Sequence, residues 1–250
     1  MTQMEQADQM LRDARRTADR WELESLFGRF QYYRSLVQGG RMMELFSAEK
    51  ADVRIDLGNG VIEGQEDLRA FLTSQKPHRG EMHGRTLLNP LVEVAEDRAT
   101  AKGLFVAAGH DTFVSYEKPD FKEYPFAAYM HKDPEYPLYK MTHWVWYKFG
   151  VDFIRENGEW KLWHVRRVEI MRCPYDEDWI DFSITRQKYE ILNKFRTPWQ
   201  GLTRETCGPL NFVPTRPSPE PWEGYTITRP VPDTPRMPEP YATFAETFEY

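Results

Sequence analysis

Cysteine is scarce: the 250 residues hold only Cys173 and Cys207, and neither has a partner at metal-ligand spacing. A disulfide framework is therefore not expected, and reduced thiols in a cytoplasmic protein are the simpler reading. Long apolar runs are missing too, since no segment approaches the ~20 apolar residues of a membrane span. The opening MTQMEQADQMLRDARR carries acids and no apolar core, so it does not read as a signal peptide. Clustered positive charge is absent: 33 Lys and Arg face 39 Asp and Glu, for a formal net charge of −6, and the basic residues are dispersed. That argues against nucleic acid or an anionic membrane surface as the main partner. No GxGxxG follows a strand, and no Walker loop, GxSxG elbow, HExxH, HxH or CxxC occurs. The expected chemistry uses no cofactor and no metal; zinc held by separated histidines is the competing explanation, without a spacing to support it.

Aromatic residues, by contrast, make up 14% of the chain. That share and this length predict a folded domain with a full core. Residues 5–38 read as a helix, with Leu23, Leu26, Phe27, Phe30, Tyr33 and Val37 on one stripe, ended by Gly39-Gly40. A short helix at Arg41–Phe46, a hairpin over residues 52–63 and a helix at Gln65–Gln75 follow. Strand-like runs then cover 82–95, 98–108, 138–155 and 159–171. Helices followed by antiparallel strands define an α+β domain with helices on one curved sheet. Residues 109–137 break the rhythm and read as a long insertion, either a lid or an oligomer contact. A helix at Asp176–Phe195 closes a domain spanning 1–196. Eleven of the 18 prolines lie in 197–250, together with Trp199, Phe212, Trp222, Tyr225, Tyr241, Phe244, Phe248 and Tyr250. Such a segment is expected to be an extended arm docked on its own domain or on a neighbour.

Four ionisable side chains form the catalytic candidates. In the strand GEWKLWHVRRV, alternation puts Trp160, Leu162 and His164 on one face. His83 shares a face with Arg85 and Leu87, His110 follows a strand ending in small residues, and Tyr33 lies on the helix stripe with Arg34 at its border. If helix and sheet face each other, these imidazoles and the phenol converge on a ring-lined pocket suited to acid–base work on an aromatic small molecule. In the KxTxWxWxK run, Lys140, Trp144 and Trp146 share one parity as candidate substrate contacts, and His143 shares the other with Met141, Val145 and Tyr147. The alternation leaves open which parity faces the pocket. Each candidate also has a plainer explanation: a core histidine satisfied by one hydrogen bond, or tryptophans at a subunit interface.

The helix DRWELESLFGRFQYY, the runs MELFSAEKADVRIDLGNGVIEGQEDLRAFL and HGRTLLNPLVEVAEDRATAKG, and the closing FIRENGEWKLWHVRRV occur in an order that resembles the SnoaL-like branch of the NTF2-like superfamily. The resemblance covers roughly residues 15–172 and implies a cone of curved antiparallel sheet closed by helices around a deep pocket. In its dehydratase-type members a helix tyrosine and two histidines serve catalysis. By position these would be Tyr33 or Tyr32, His83 and His110, with Arg34 standing where an acidic residue would be expected. The insertion and the proline-rich tail are also similar to the larger SnoaL-like lyases of lignin-dimer catabolism, which eliminate formaldehyde from diarylpropane or phenylcoumaran compounds without a cofactor. The resemblance thus implies a lyase releasing formaldehyde and water to leave a stilbene. His83 and His164 would carry protons, Tyr33 would hold the phenol, and Arg34 or Lys140 would stabilise a phenolate. Dehydration or isomerisation of a smaller aromatic or polycyclic substrate is one alternative, and a non-catalytic binding module is another. A homo-oligomer is expected, a trimer before a dimer.

Overall fold

The computed structural model describes residues 2–58, 60–74, 77, 79–119, 130–181, 214–219, 225, 227, 230, 233–240 and 249–250. Helix α1 (Gln3–Ser35) begins with a capping box: Thr2 Oγ1 accepts the Glu5 N–H at 3.2 Å, and the Glu5 carboxylate accepts the Thr2 N–H at 2.6 Å. Its buried stripe is Leu23, Leu26, Phe27 and Phe30, as the spacing predicts, joined by Asp19 and Gln31. The helix stops at Ser35, short of the expected end, because Val37 turns the chain with φ 53°. Gly39 and Gly40 do not end this helix. They open α2 (Gly39–Met43), two residues ahead of the expected start, and a Cβ on Gly39 would stand 1.9 Å from the Leu72 carbonyl oxygen.

Strands β1 (Arg54–Asp56) and β2 (Val61–Glu63) form the expected hairpin, followed by α3 (Gln65–Ser74). Then come β3 (Met82–Val94), β4 (Thr100–Ser115), β5 (His131–Lys132), β6 (Tyr139–Glu156) and β7 (Glu159–Pro174). They build one mixed sheet in the order β2-β1-β7-β6-β4-β3, with β5 on β6. The expected α+β architecture is present, with one departure: β1 pairs parallel to β7, whereas the other neighbours are antiparallel. Parallel neighbours need a long crossover, here everything from β2 to β6. The insertion expected from residue 109 starts later, because β4 continues in register with β6 as far as Ser115. Residues 120–129, most of the helix expected at Asp176–Phe195, and most of the proline-rich segment lie outside the described residues. None of the described helices is long and apolar enough to cross a membrane.

The sheet has two distinct faces. On β6 the odd positions Val145, Tyr147, Phe149, Val151 and Phe153 are buried beneath α1. Phe27 packs on Phe105 and Phe149 with ring centroids 4.5 and 5.3 Å away. Even positions point outward, and two irregularities in β7 change its parity relative to β6. Asp152 pairs with His164 while Phe153 pairs with Leu162, which leaves Trp163 as an extra residue. Trp146 pairs with Met171 while Tyr147 pairs with Glu169, which makes Ile170 a second extra residue.

Segments remote in sequence cover parts of the outer side. Arg216 bridges the edge strand β2: Val61 N–H donates to the Arg216 carbonyl at 2.8 Å, and Thr215 N–H donates to the Val61 carbonyl at 2.8 Å. Ser218 Oγ donates to Asp56 at 2.8 Å. Tyr250 lies on Gly150, where a Cβ would meet its ring at 2.2 Å. Gly150→Ala is therefore expected to cost about 1–3 kcal/mol by overcrowding. In a Tyr250→Ala background the same change should cost nothing, and a urea-denaturation double-mutant cycle measures the coupling.

Candidate active site

The inner face gathers charge around one phenol. Tyr147 is 1% exposed. Its Oη accepts a hydrogen bond from Arg172 Nη2 at 2.5 Å. The guanidinium carbons of Arg85 and Arg167 each stand 5.3 Å from the Tyr147 ring centre, and that of Arg34 stands 5.7 Å away. Asp111, across β4, ties the group together: it accepts from Arg85 Nη2 at 2.5 Å, from Arg172 Nη1 at 2.9 Å and from His83 Nδ1 at 2.9 Å. Arg172 Nε also donates to Glu169 at 3.1 Å.

Register explains why these residues meet. His83 pairs with Asp111 and Arg85 with Gly109 across β3 and β4. Asp111 pairs with His143 and Ala107 with Tyr147 across β4 and β6. Arg167, Glu169 and Arg172 pair with Phe149, Tyr147 and Val145 across β6 and β7. Each of these pairs is on the helix-facing side. Arg34 reaches the cluster from the last turn of α1.

Electrostatics sets the protonation states. Burial opposes charge on Asp111, but Arg172, the His83 hydrogen bond and Arg85 hold its carboxyl well below the usual carboxylate range. It is an anion at neutral pH. Burial likewise opposes charge on His83, and its hydrogen bond to Asp111 together with the nearby Glu81 carboxylate outweighs it, raising the imidazole above its ordinary 6.5. With Nδ1 donating to Asp111, Nε2 is the atom left to take a proton, and Glu81 Oε2 lies 3.8 Å from it. Burial, with Arg85 and Arg167 alongside, brings Arg34 down to about 10, so it stays a cation at neutral pH. Burial also works against Arg172, yet Tyr147, Glu169 and Asp111 hold it well above the ordinary arginine value.

The family model of the SnoaL-like domain matches residues 15–166. The chain belongs to this family. No curated protein matches it. Among solved structures it is similar to a candidate scytalone dehydratase from Novosphingobium aromaticivorans DSM 12444, at 14% identity and TM-score 0.47, over 66% of this chain and 92% of that one. It is also similar to the hexachlorocyclohexane dehydrochlorinase LinA-type3 from Novosphingobium barchaimii LL02, at 14% identity and TM-score 0.46, over 66% and 96%. The Kfla4162 protein from Kribbella flavida is a third, at 16% identity and TM-score 0.45, over 63% and 94%.

Within this SnoaL-like domain, only two of the residues singled out in the sequence share the inner cluster: His83 and Arg34. His164 is on the opposite face of the sheet, because the extra residue Trp163 reverses the alternation that grouped it with Leu162. There it is fully buried, donates from Nδ1 to Asp152 at 2.8 Å, and has Asp52 Oδ2 3.5 Å from Nε2. Lys102 donates to the same Asp152 at 3.1 Å and the Tyr250 N–H at 2.8 Å. His110 also points outward, pairing with Trp144 and filling the space over Gly84, where a Cβ would lie 2.6 Å from its Nε2. Tyr33 packs at the core edge under the Arg41 guanidinium, 5.6 Å from its ring centre, and Tyr32 is 65% exposed. Trp144 and Trp146 line an open outer groove with Ile170, Met171 and Cys173, and Lys140 forms an ion pair with Asp133.

Tyr147, Asp111, Arg167, Arg172 and Glu169 carry the cluster and were not singled out from sequence. A signal existed for Tyr147, which shares the parity of His143 and Val145. The arginines of VRRVEIMRC were hidden by the second irregularity, since Arg167 and Arg172 are five apart and share a face only because Ile170 is extra.

Proposed function

We propose that the protein is a cofactor-independent lyase acting on a phenolic diaryl compound derived from lignin, releasing formaldehyde and water to give a stilbene. The observation that carries this reading is the His83–Asp111 pair, a base held in one tautomer beside fixed guanidinium charge on the inner face. In the first step the substrate phenol loses its proton, and electron flow from the ring expels the benzylic hydroxyl as water, leaving a quinone methide. In the second, His83 Nε2 takes the proton of the primary alcohol. The bond between that carbon and its neighbour breaks, formaldehyde departs, and the electron pair restores the aromatic ring. One diol thus yields one stilbene, one water and one formaldehyde, with no net redox change. The guanidinium charge of the inner cluster favours the negative charge that develops on the phenol oxygen. His164, His110 and Tyr33 have no part in this scheme. We further propose that the enzyme is a cytoplasmic homotrimer.

The test is a diarylpropanediol substrate, with stilbene followed by absorbance and formaldehyde trapped in the same vessel. Stoichiometric release of both supports the lyase, whereas water loss with all carbons retained would point to a dehydratase. The pH profile gives a second check. His83 acts as a base only when neutral, and its hydrogen bond to Asp111 with the carboxylate of Glu81 nearby keeps the proton on above 6.5. Turnover should therefore climb with rising pH, with its inflection above 6.5, and a flat profile across that range would remove His83 from the role.

A further inference from the structure

The carboxylates of the inner cluster do not match its guanidiniums. Asp111 is shared by Arg85 and Arg172, and Glu169 also serves Arg172. Arg34 and Arg167 are left over: among the described residues the side chain of neither makes an ion pair or a hydrogen bond, and Arg34 Nη1 and Arg167 Nε are shut off from water without a partner. Placing uncompensated charge in a protein interior is costly, and such charge usually marks a place where an opposite charge arrives from outside. A second observation agrees. Gln31 is 2% exposed, sits three residues before Arg34 on the same face of α1, and has neither amide oxygen nor amide nitrogen bonded. A buried amide with both ends open fits an oxygen-rich ligand group beside it.

One transient phenolate would answer only one of the two guanidiniums. We propose that Arg34 and Arg167 bind a permanent carboxylate on the substrate, so that the enzyme takes anionic aryl acids in preference to neutral aryl compounds. This deepens the lyase reading and rests on the same site, but the recognition can be measured without turnover. Planar guanidinium forks suit a planar carboxylate, and removal of both partners from water strengthens the pairing. Arg85 and Arg172 are already committed to Asp111 and hold the floor of the site.

The probe pair is 4-hydroxybenzoate and its neutral isostere 4-hydroxybenzamide, titrated by calorimetry at pH 7.5. The carboxylate is expected to bind at least tenfold more tightly, with affinity falling as salt rises. Arg34→Gln and Arg167→Gln should each bring the ratio of the two affinities close to one. Without ligand, Arg34→Gln should raise Tm, because it removes a desolvated charge that lacks a carboxylate, whereas the half-buried Arg167 should change Tm little; this also guards against reading a misfolded variant as a binding defect. Equal affinity for the two probes, failure of both to bind at millimolar concentration, or a preference that survives in both variants would overturn the proposal. The lyase reading is judged separately: formaldehyde release from a neutral diol would stand whatever the carboxylate does.

Discussion

Asp111→Ala is expected to cost about 3–5 kcal/mol of folding stability, the usual penalty for breaking a buried ion pair from one side. The carboxylate is 4% exposed and holds Arg85, Arg172 and His83 at 2.5, 2.9 and 2.9 Å. Without it, Arg85 loses its carboxylate and Arg172 keeps only Glu169, next to two guanidiniums that never had a carboxylate. At about 2–4 °C per kcal/mol for a chain of this size, Tm should fall by roughly 10 °C. The acid limb of stability should change as well. Asp111 has a folded pKa far below its ordinary 3.8, so the stability it contributes is complete above that value and is lost as pH falls through the depressed one. The variant should lack this portion of the acid dependence. A Tm change under 2 °C would show that the cluster does not depend on Asp111. The contrast with Arg34 is informative: deleting a shared anion destabilises, whereas deleting a desolvated surplus cation stabilises, within one cluster.

The other large effect is kinetic. His83→Ala should lower turnover by about 10²–10⁴-fold, the range for loss of a positioned base. Its side chain is 18% exposed, and Asp111 keeps two arginine partners without it, so Tm should move little. His164→Ala should do the reverse. That ring is fully buried among Asp152, Asp52 and Trp163, so its removal leaves a cavity and an unpaired Asp152 bond while the inner face stays intact. Steady-state kinetics and thermal melts on the two variants make the comparison. Equal loss of turnover in both, with equal Tm, would mean that the two sheet faces do not divide the work in this way.

The local rules of sequence carried the framework well. Steps of three and four placed Leu23, Leu26, Phe27 and Phe30 on the packed side of α1, and the strand expected from residue 159 begins there as β7. The SnoaL-like order of elements was legible for the same reason: it is a matter of periodicity and punctuation. The site was only half legible. His83 and Arg85 came out correctly on one face, because β3 is regular up to Leu88. His164 did not, because alternation assumes one residue per step and the extra residue at Trp163 reverses the parity from His164 until the second irregularity at Ile170. Nothing in KLWHVRR advertises that irregularity, since it arises from pairing with β6, the neighbouring strand of the same sheet some ten residues away in sequence. Tyr147 could be grouped with its own parity, but the side of the sheet it occupies is decided by where α1 settles, a long-range choice.

The bridge between Val61 and Arg216 bears on how the molecule keeps to itself. A three-residue border strand ordinarily offers its open backbone amides and carbonyls to any passing chain. Here Thr215 and Arg216 occupy those groups, and the Arg216 guanidinium seals the contact on Glu63 at 2.6 Å. A chain shortened ahead of Thr215 would present that border bare, and the geometry that now zips a tail in place would be free to recruit a second molecule, turning a self-limiting particle into one prone to fibrous growth.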